Sequence, residues 1–333
     1  MERSPESGSR VVRDIRLAPH QLTERNTPQA DLFVIAHVGI PRVEVSTWQL
    51  EITGLVPSPQ TLTFDDILSL PKRCVEAFHQ CAGFPRRADV PTRRVANVVW
   101  GGADLYDIMK AIGISPGARF LWAYGLDKGA YEDFPSADYV KDMPLKRLAE
   151  GGVLLAYEVN GEPLTPAHGY PVRLVIPGYY GTNAVKWLRR LELSADRPSG
   201  PFTTALYNDP VPWPAGRDTR ATLPVWQAGP EAIIVTPRNG AVIARSAAKI
   251  SGWAWGSSAV DRVELSVDGG STWFLTSLEV RNQWSWQRFE AEWSPVAGGS
   301  FAITARATDR SGTSQPMNCS RNAVHTVRIK VSA

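Results

Sequence analysis

Residues 166–178 read PAHGYPVRLVIPG, and Lys186 follows eight positions later. His168, Arg173 and Lys186 thus place three cationic or cationisable groups in a segment punctuated by proline and glycine. The ordinary reading is solvated surface charge. The sharper reading is a pocket for a phosphate-bearing ligand, with glycines letting the backbone approach closely. No GxxxxGK[ST] and no strand-GxGxxG-helix occurs, so neither a P-loop nor a Rossmann site is offered. No HExxH and no paired CxxC occurs, which leaves a zinc site little support.

Outward from this segment, periodicity predicts an ordered mixture of elements. VLLAYEV, then Asn160-Gly161, predicts a strand and a hairpin turn. VRLVIPG and KWLRRLELS read as further strands, and Trp48, Leu50 and Ile52 alternate in STWQLEITG. TFDD at 63–66 has the capping-box form and opens a short helix that stops at Pro71. Leu105, Ile108, Met109 and Ile112 fall on one helical face, closed by Gly113. From Asp196 to Pro230, prolines 198, 201, 210, 212, 214, 224 and 230 interrupt every periodic pattern. Such a stretch is neither a central strand nor a helix interior, and it reads as an ordered connection between domains. Beyond it, AIIVTP, AKISGWAW, DRVELSVDGGSTWF, WSWQRFEAEW and SFAITARATD are short β runs split by turn signals. Their spacing suits an immunoglobulin-like β-sandwich without a Cys…Trp…Cys framework. Six of the twelve tryptophans lie after residue 250, in keeping with a β-rich tail.

Composition excludes several classes. The 333 residues are 43% hydrophobic and 21% charged, with a formal net charge of +3. That balance is ordinary for a globular protein, long enough for two domains, and too weakly basic for nucleic-acid binding. No stretch is apolar for long enough to span a bilayer. The N-terminus, MERSPESGSRVVRDIRL, is polar and has no apolar h-region, so it does not read as a secretory signal. The expected location is cytoplasmic, or periplasmic if a leader is missing.

The other candidate centre is FHQCAGFPRR, residues 78–87. Three cysteines, Cys74, Cys81 and Cys319, suggest no disulfide framework. If CVEAFHQC is extended, Cys74 and Cys81 lie roughly 23 Å apart at ~3.3 Å per residue, too far to bridge. A free cysteine is most often a small buried hydrophobe. Here Ala82 and Gly83 leave room beside the sulfur, and Arg86 and Arg87 favour a thiolate and an anionic ligand. A soft thiolate is also a metal ligand. Tyr207, inside the proline-rich connection, reads either as packing or as a donor reaching over a pocket.

Taken together and in order, these pieces resemble the sulfite oxidase family of molybdopterin-dependent oxidoreductases. CAGFPRR resembles the family element C-A-G-N-R-R, whose cysteine is the protein ligand to molybdenum. GLD at 125–127, VLLAYEVNGEPL at 153–164, HGYPVRLVIPG, Gly181 and VKWL at 185–188 match further family elements. DGGSTW and ITARATDRSG resemble the family's dimerisation domain. The resemblance implies an α+β fold: a sulfite-oxidase-like molybdopterin-binding domain followed by an immunoglobulin-like β-sandwich. The expected domains are a poorly ordered lead-in at 1–30, a catalytic domain at 31–225 and a dimerisation domain at 226–333. By resemblance, Cys81 binds molybdenum. His37, Asp127, His168, Arg173 and Lys186 hold the molybdopterin, and Arg86 and Tyr207 serve catalysis. The implied partners are a small oxo substrate, a second copy of the chain and a separate electron-transfer protein such as a cytochrome. No His-Pro-Gly-Gly haem segment precedes the molybdenum domain, so no haem is expected.

The sequence departs from the family at two places. Ile35 stands where sulfite oxidases carry an arginine, two residues before His37, and Ala36 replaces the intervening asparagine. Losing one charge-assisted contact to an oxyanion costs roughly 1.5–3 kcal/mol. Phe84 and Pro85 stand where the asparagine and first arginine of the cysteine motif usually stand. Both changes predict a less cationic, more hydrophobic pocket and a substrate larger or less charged than sulfite. Two other readings compete with an oxotransferase. One is a non-catalytic interaction protein that retains the fold; the other is a cysteine-nucleophile enzyme using Cys81 with His79 or His37.

Overall fold

The structure, a computed structural model, describes residues 11–13, 17–83, 94–210, 222–318 and 321–332. Two compact units emerge. The first gathers Met1–Asp14, Phe33–Val75 and Val99–Trp226; the second gathers Ile15–Leu32, Glu76–Val98 and Gln227–Ala333. The chain therefore passes between units inside the strands Lys72–Gln80 and Val95–Asp104. Nothing in local composition marks those crossings, which is why a linear division at 225/226 did not anticipate them.

The first unit is built on a five-stranded sheet in the order Gln60–Thr63, Gln49–Gly54, Leu188–Ser194, Phe120–Tyr131, Phe134–Pro144. Leu188–Ser194 runs parallel to Gln49–Gly54 and antiparallel to Phe120–Tyr131, with a bulge between Leu188 and Arg190. Alternation puts Leu50 and Ile52 inward, both with no exposed surface, and Trp48 Nε1 donates to Leu188 O at 2.9 Å. Leu154–Val159 pairs antiparallel with Val95–Asp104, with Glu162–Pro163 and with Arg173–Val175. The hairpin turn uses Asn160 (φ 53°) and Gly161 (φ 81°), the left-handed pair that a type I′ turn demands.

Helix is scarce. The two α-helices among the described residues are Phe64–Ser69 and Leu105–Ile112. Thr63 caps the first reciprocally with Asp66: the Asp66 N–H donates to Thr63 Oγ1 at 3.1 Å, and the Thr63 N–H to Asp66 Oδ2 at 2.8 Å. Asp104 caps the second, and Gly113 ends it at φ 87°. The expected mixture of helix and sheet is thus mostly sheet among the described residues, with the two predicted helices accompanied by short 3-10 segments in the connections.

The second unit contains two sheets over one core. One has the order Glu231–Thr236, Ala248–Trp255, Gln287–Trp293, Ser277–Leu278; the other has Val242–Ile243, His325–Val331, Gly299–Asp309, Val260–Ser266, Phe274–Leu275. Ile234, Ile250 and Phe289 of the first sheet meet Val263, Leu265, Ile303 and Val327 of the second in one buried cluster. That is a β-sandwich. Residues 17–32, of which 17–30 fall in the expected poorly ordered lead-in, are packed into this unit. They form two 3-10 turns, bury Leu22 and Leu32, and give the Leu22 carbonyl to Trp253 Nε1 at 2.7 Å. Two buried leucines and an indole anchor fix a stretch whose composition looks like loop.

Candidate cofactor and active site

The 166–178 segment folds as a clamp in the first unit. Pro166–His168 is one 3-10 turn ended by Gly169 at φ 106°. A Cβ on Gly169 would come within 3.1 Å of both Arg173 Cβ and Lys186 Cβ, so glycine lets the two cationic stems converge. Arg173, 3% exposed, donates to His168 O at 3.0 Å and to Ala184 O at 3.1 Å, and its guanidinium lies 4.8 Å from the Trp100 ring centroid. His168 Nδ1 and Thr165 Oγ1 are 2.8 Å apart. Lys186 is half-buried as a residue, but its ammonium is enclosed. It donates to Ile35 O at 3.0 Å and Ala167 O at 3.1 Å and lies 4.1 Å from the Trp187 ring centroid. The expected set His168, Arg173 and Lys186 is therefore assembled in one place, and Lys186 ties it to the backbone two residues before His37.

Asp127 completes this cluster from the strand Phe120–Tyr131. It is 5% exposed, and among the described residues its Oδ1 has no hydrogen-bond partner. A Cβ on Gly125 would meet that oxygen at 2.1 Å and Lys186 O at 3.0 Å, which explains glycine in GLD. Burial pushes the Asp127 carboxyl up, while Lys186 pulls it the other way. Burial likewise pulls Lys186 down to about 7, helped by the Arg173 charge and opposed by Asp127. Burial also lowers Arg173, though a guanidinium stays charged in proteins. Arg173 Nε is another buried atom without a partner among the described residues, and neither Arg173 nor Lys186 forms an ion pair there. Two enclosed cations and an orphaned acceptor are costly alone. They fit an anionic group that also offers N–H donors, as a phosphate-bearing pterin does.

A second constellation surrounds His37, which is 7% exposed. Its Nε2 lies 2.6 Å from Tyr207 Oη. Tyr131, Phe202 and Tyr207 present their rings to it edge-on and Tyr139 stacks on it, at centroid distances of 5.2 to 5.9 Å. Tyr207 sits at φ 59°, a conformation a non-glycine residue rarely adopts. Its carbonyl accepts from the Val225 N–H at 2.9 Å, and Asn208 Nδ2 bonds Thr203 O and Leu206 O on the turn before it. These contacts hold the phenol on the imidazole. Lys141 belongs here too and was missed from the sequence. Its signal was the period of two along Ala137, Tyr139, Lys141 and Met143, all buried: a lysine on an apolar strand face.

Cys81 lies in the second unit. It follows the strand Lys72–Gln80, whose last residue is fully buried and fixed by Glu231 Oε2 at 2.5 Å and Trp255 Nε1 at 2.9 Å. Its own N–H donates to Arg94 O at 2.9 Å, and Arg321 Nη1 holds the Ala82 carbonyl. Cys74 and Cys81 are both free, and Cys81 is half-buried. Gly83 follows Ala82, and a Cβ on it would lie 3.7 Å from the sulfur. Arg86, with Phe84 and Pro85, lies outside the described residues.

Residues 37–202 match the family model of the oxidoreductase molybdopterin binding domain, and residues 224–330 that of the Mo-co oxidoreductase dimerisation domain. The chain is 30% identical over 331 residues to sulfite oxidase of Arabidopsis thaliana, covering 86% of this chain and 82% of that protein. The chain belongs to the sulfite oxidase family of molybdopterin-dependent oxidoreductases. It is also 31% identical over 328 residues to the mitochondrial sulfite oxidase of Macaca fascicularis, covering 90% of this chain but 59% of that relative's length. Among solved structures, the sulfane dehydrogenase SoxCD from Paracoccus pantotrophus superposes with a TM-score of 0.76 at 27% identity, covering 92% of this chain and 82% of that one. The molybdopterin-binding match begins at His37 and ends at Phe202, so it contains the cationic cluster and, of the rings around His37, Tyr131, Tyr139 and Phe202 but not Tyr207.

Proposed function

We propose that this chain is a mononuclear molybdenum oxidoreductase of sulfite oxidase type. The buried Arg173–Lys186–Asp127 cluster, inside the matched molybdopterin-binding segment, carries that reading. Arg173, Lys186 and His168 would hold the anionic end of the pterin, and Asp127 Oδ1 would accept from its ring N–H groups. His37 would flank the cofactor. Cys81, with small neighbours on its C-terminal side, would be the thiolate ligand of the metal. When bound, the metal supplies two-electron redox coupled to oxo transfer. The protein's own residues orient, charge and shield the site, and Tyr207 with His37 would donate or receive the proton that accompanies the redox change. Arg86 would add positive charge for an oxyanion.

The substrate is sulfite or a larger, less charged oxo donor or acceptor. Ile35 supports the second choice: it offers the site a carbonyl, already used by Lys186, and an uncharged side chain. The sandwich at 224–330 would pair two copies of the chain, and electrons would leave to a separate carrier such as a cytochrome. The cytoplasm is the proposed location.

Anaerobic mixing of the oxidised protein with stoichiometric sulfite tests this reading. A visible thiolate-to-metal band in the wild type, absent in Cys81→Ser with molybdenum still bound, is expected. Rapid bleaching identifies sulfite as a substrate, and a band that sulfite leaves intact identifies another oxo substrate. Protein that binds neither molybdenum nor pterin on reconstitution would refute the proposal.

A further inference from the structure

Lys141 is 2% exposed, on the strand Phe134–Pro144, opposite the small side chain of Ala123. Its ammonium donates to Phe202 O at 2.8 Å and lies 5.0 Å from the centroid of the Tyr207 ring. Among the described residues it forms no ion pair. The neighbouring Asp142 carboxylate is instead taken by Arg197, with Nε to Oδ2 at 2.7 Å and Nη2 to Oδ1 at 3.0 Å. An enclosed ammonium with one carbonyl and one aromatic face is a poor structural choice. A methionine or leucine would fill that space without the desolvation cost.

What the charge does face is the phenol that His37 touches. We propose that Lys141 is a positioning residue that tunes Tyr207: its charge under the ring makes the hydroxyl a better acid towards His37, and its bond to Phe202 O fixes the turn that delivers Tyr207. A cation over an aromatic face favours added negative charge on the ring. The cation also supplies positive charge in a site where Ile35 replaces the family's arginine. Among the described residues, the groups facing the pair include His37, Tyr131, Tyr139 and Phe202 around Tyr207, with Asp142 and Arg197 beside Lys141. Burial pulls Lys141 down to about 8, which leaves it mostly charged at neutral pH. The inference rests on Tyr207 acting as the proposed function assigns it.

The test uses the holoenzyme with tyrosines labelled at Cζ, the Tyr207 resonance being assigned by its loss in Tyr207→Phe. Three substitutions separate the roles. Lys141→Met removes charge and donor, Lys141→Gln keeps an N–H donor for Phe202 O without charge, and Lys141→Arg keeps the charge. At about pH 6.5, where Lys141 is charged, the Tyr207 Cζ resonance is expected to move away from the phenolate position in both Lys141→Met and Lys141→Gln and to stay near the wild-type position in Lys141→Arg. A Tyr207 resonance at the same position in Lys141→Gln as in the wild type at that pH would overturn the proposal and leave Lys141 a turn anchor. The readout needs no turnover. Failure of every oxo substrate would sink the proposed function while leaving the resonance shift standing. Full sulfite oxidation with an unmoved Tyr207 would do the reverse.

Discussion

His37 Nε2 lies 2.6 Å from the hydroxyl oxygen of Tyr207, 170 residues further along the chain. Either atom can be the donor, depending on the imidazole tautomer. A buried imidazole against a half-buried phenol on strained backbone suits the proton relay proposed above. Tyr207→Phe is expected to lower kcat by about 100-fold while molybdenum content and visible spectrum stay at wild-type values. Steady-state kinetics with metal analysis decides the point. Unchanged kcat would remove Tyr207 from the chemistry.

Lys186 predicts a proton count. In the cofactor-free protein, burial and Arg173 hold its ammonium down to about 7. An anion placed beside it reverses that effect and raises the pKa. Loading with isolated molybdenum cofactor at about pH 8 is therefore expected to take up roughly one proton, and affinity to fall as pH rises above neutrality. Calorimetry in two buffers of different ionisation enthalpy measures this uptake. It should vanish in Lys186→Met; uptake that persists there would place the proton elsewhere.

Gly125 tests the cradle around Asp127. Alanine would drive its Cβ into Asp127 Oδ1 at 2.1 Å and towards Lys186 O at 3.0 Å. The strand must shift, at a cost of about 1–3 kcal/mol. Gly125→Ala should show a lower Tm and reduced molybdenum content in the same preparation. Full content at wild-type Tm would mean that the orphaned carboxylate has no part in holding the group.

His325 makes the second unit acid-sensitive. The Ile234 N–H donates to its Nδ1 at 2.9 Å, and burial pulls the imidazole down to about 4. Between about pH 4 and the ordinary value near 6.5, the unfolded chain binds the extra proton. The stability contributed by neutral His325 is complete above that window and is lost as pH falls through it, by roughly 3 kcal/mol at most. Denaturant titrations at several pH values should show this slope in the wild type and a flatter one in His325→Gln. Equal slopes would assign the acid sensitivity to other groups.

Local chemistry made much of this readable. The face of Leu105–Ile112, the Thr63 cap and the Asn160-Gly161 turn are each decided by a few adjacent residues, and each formed where expected. The cationic segment announced its own cluster because His168, Arg173 and Lys186 lie within one clamp of chain. Tyr207 on His37 and Lys141 beneath it could not be read from spacing alone. They depend on a sheet order that brings Phe134–Pro144 and the turn Pro201–Ala205 together, which no local propensity encodes. The interleaved units were hidden for the same reason. Gln80 reads as an ordinary strand residue until Glu231 and Trp255 are seen to need it.

That last pairing governs the order in which the molecule can be made. The sandwich takes up Ile15–Leu32 and Glu76–Val98, so its earliest segments emerge from the ribosome long before residues 227–333 exist to receive them. Contacts of such long sequence separation form late and leave apolar strands waiting. Cutting the gene at residue 226 would accordingly not release two working halves. The C-terminal piece would lack Leu22, Leu32 and the buried end of the Lys72–Gln80 strand. The N-terminal piece would carry those residues with nothing to cover them.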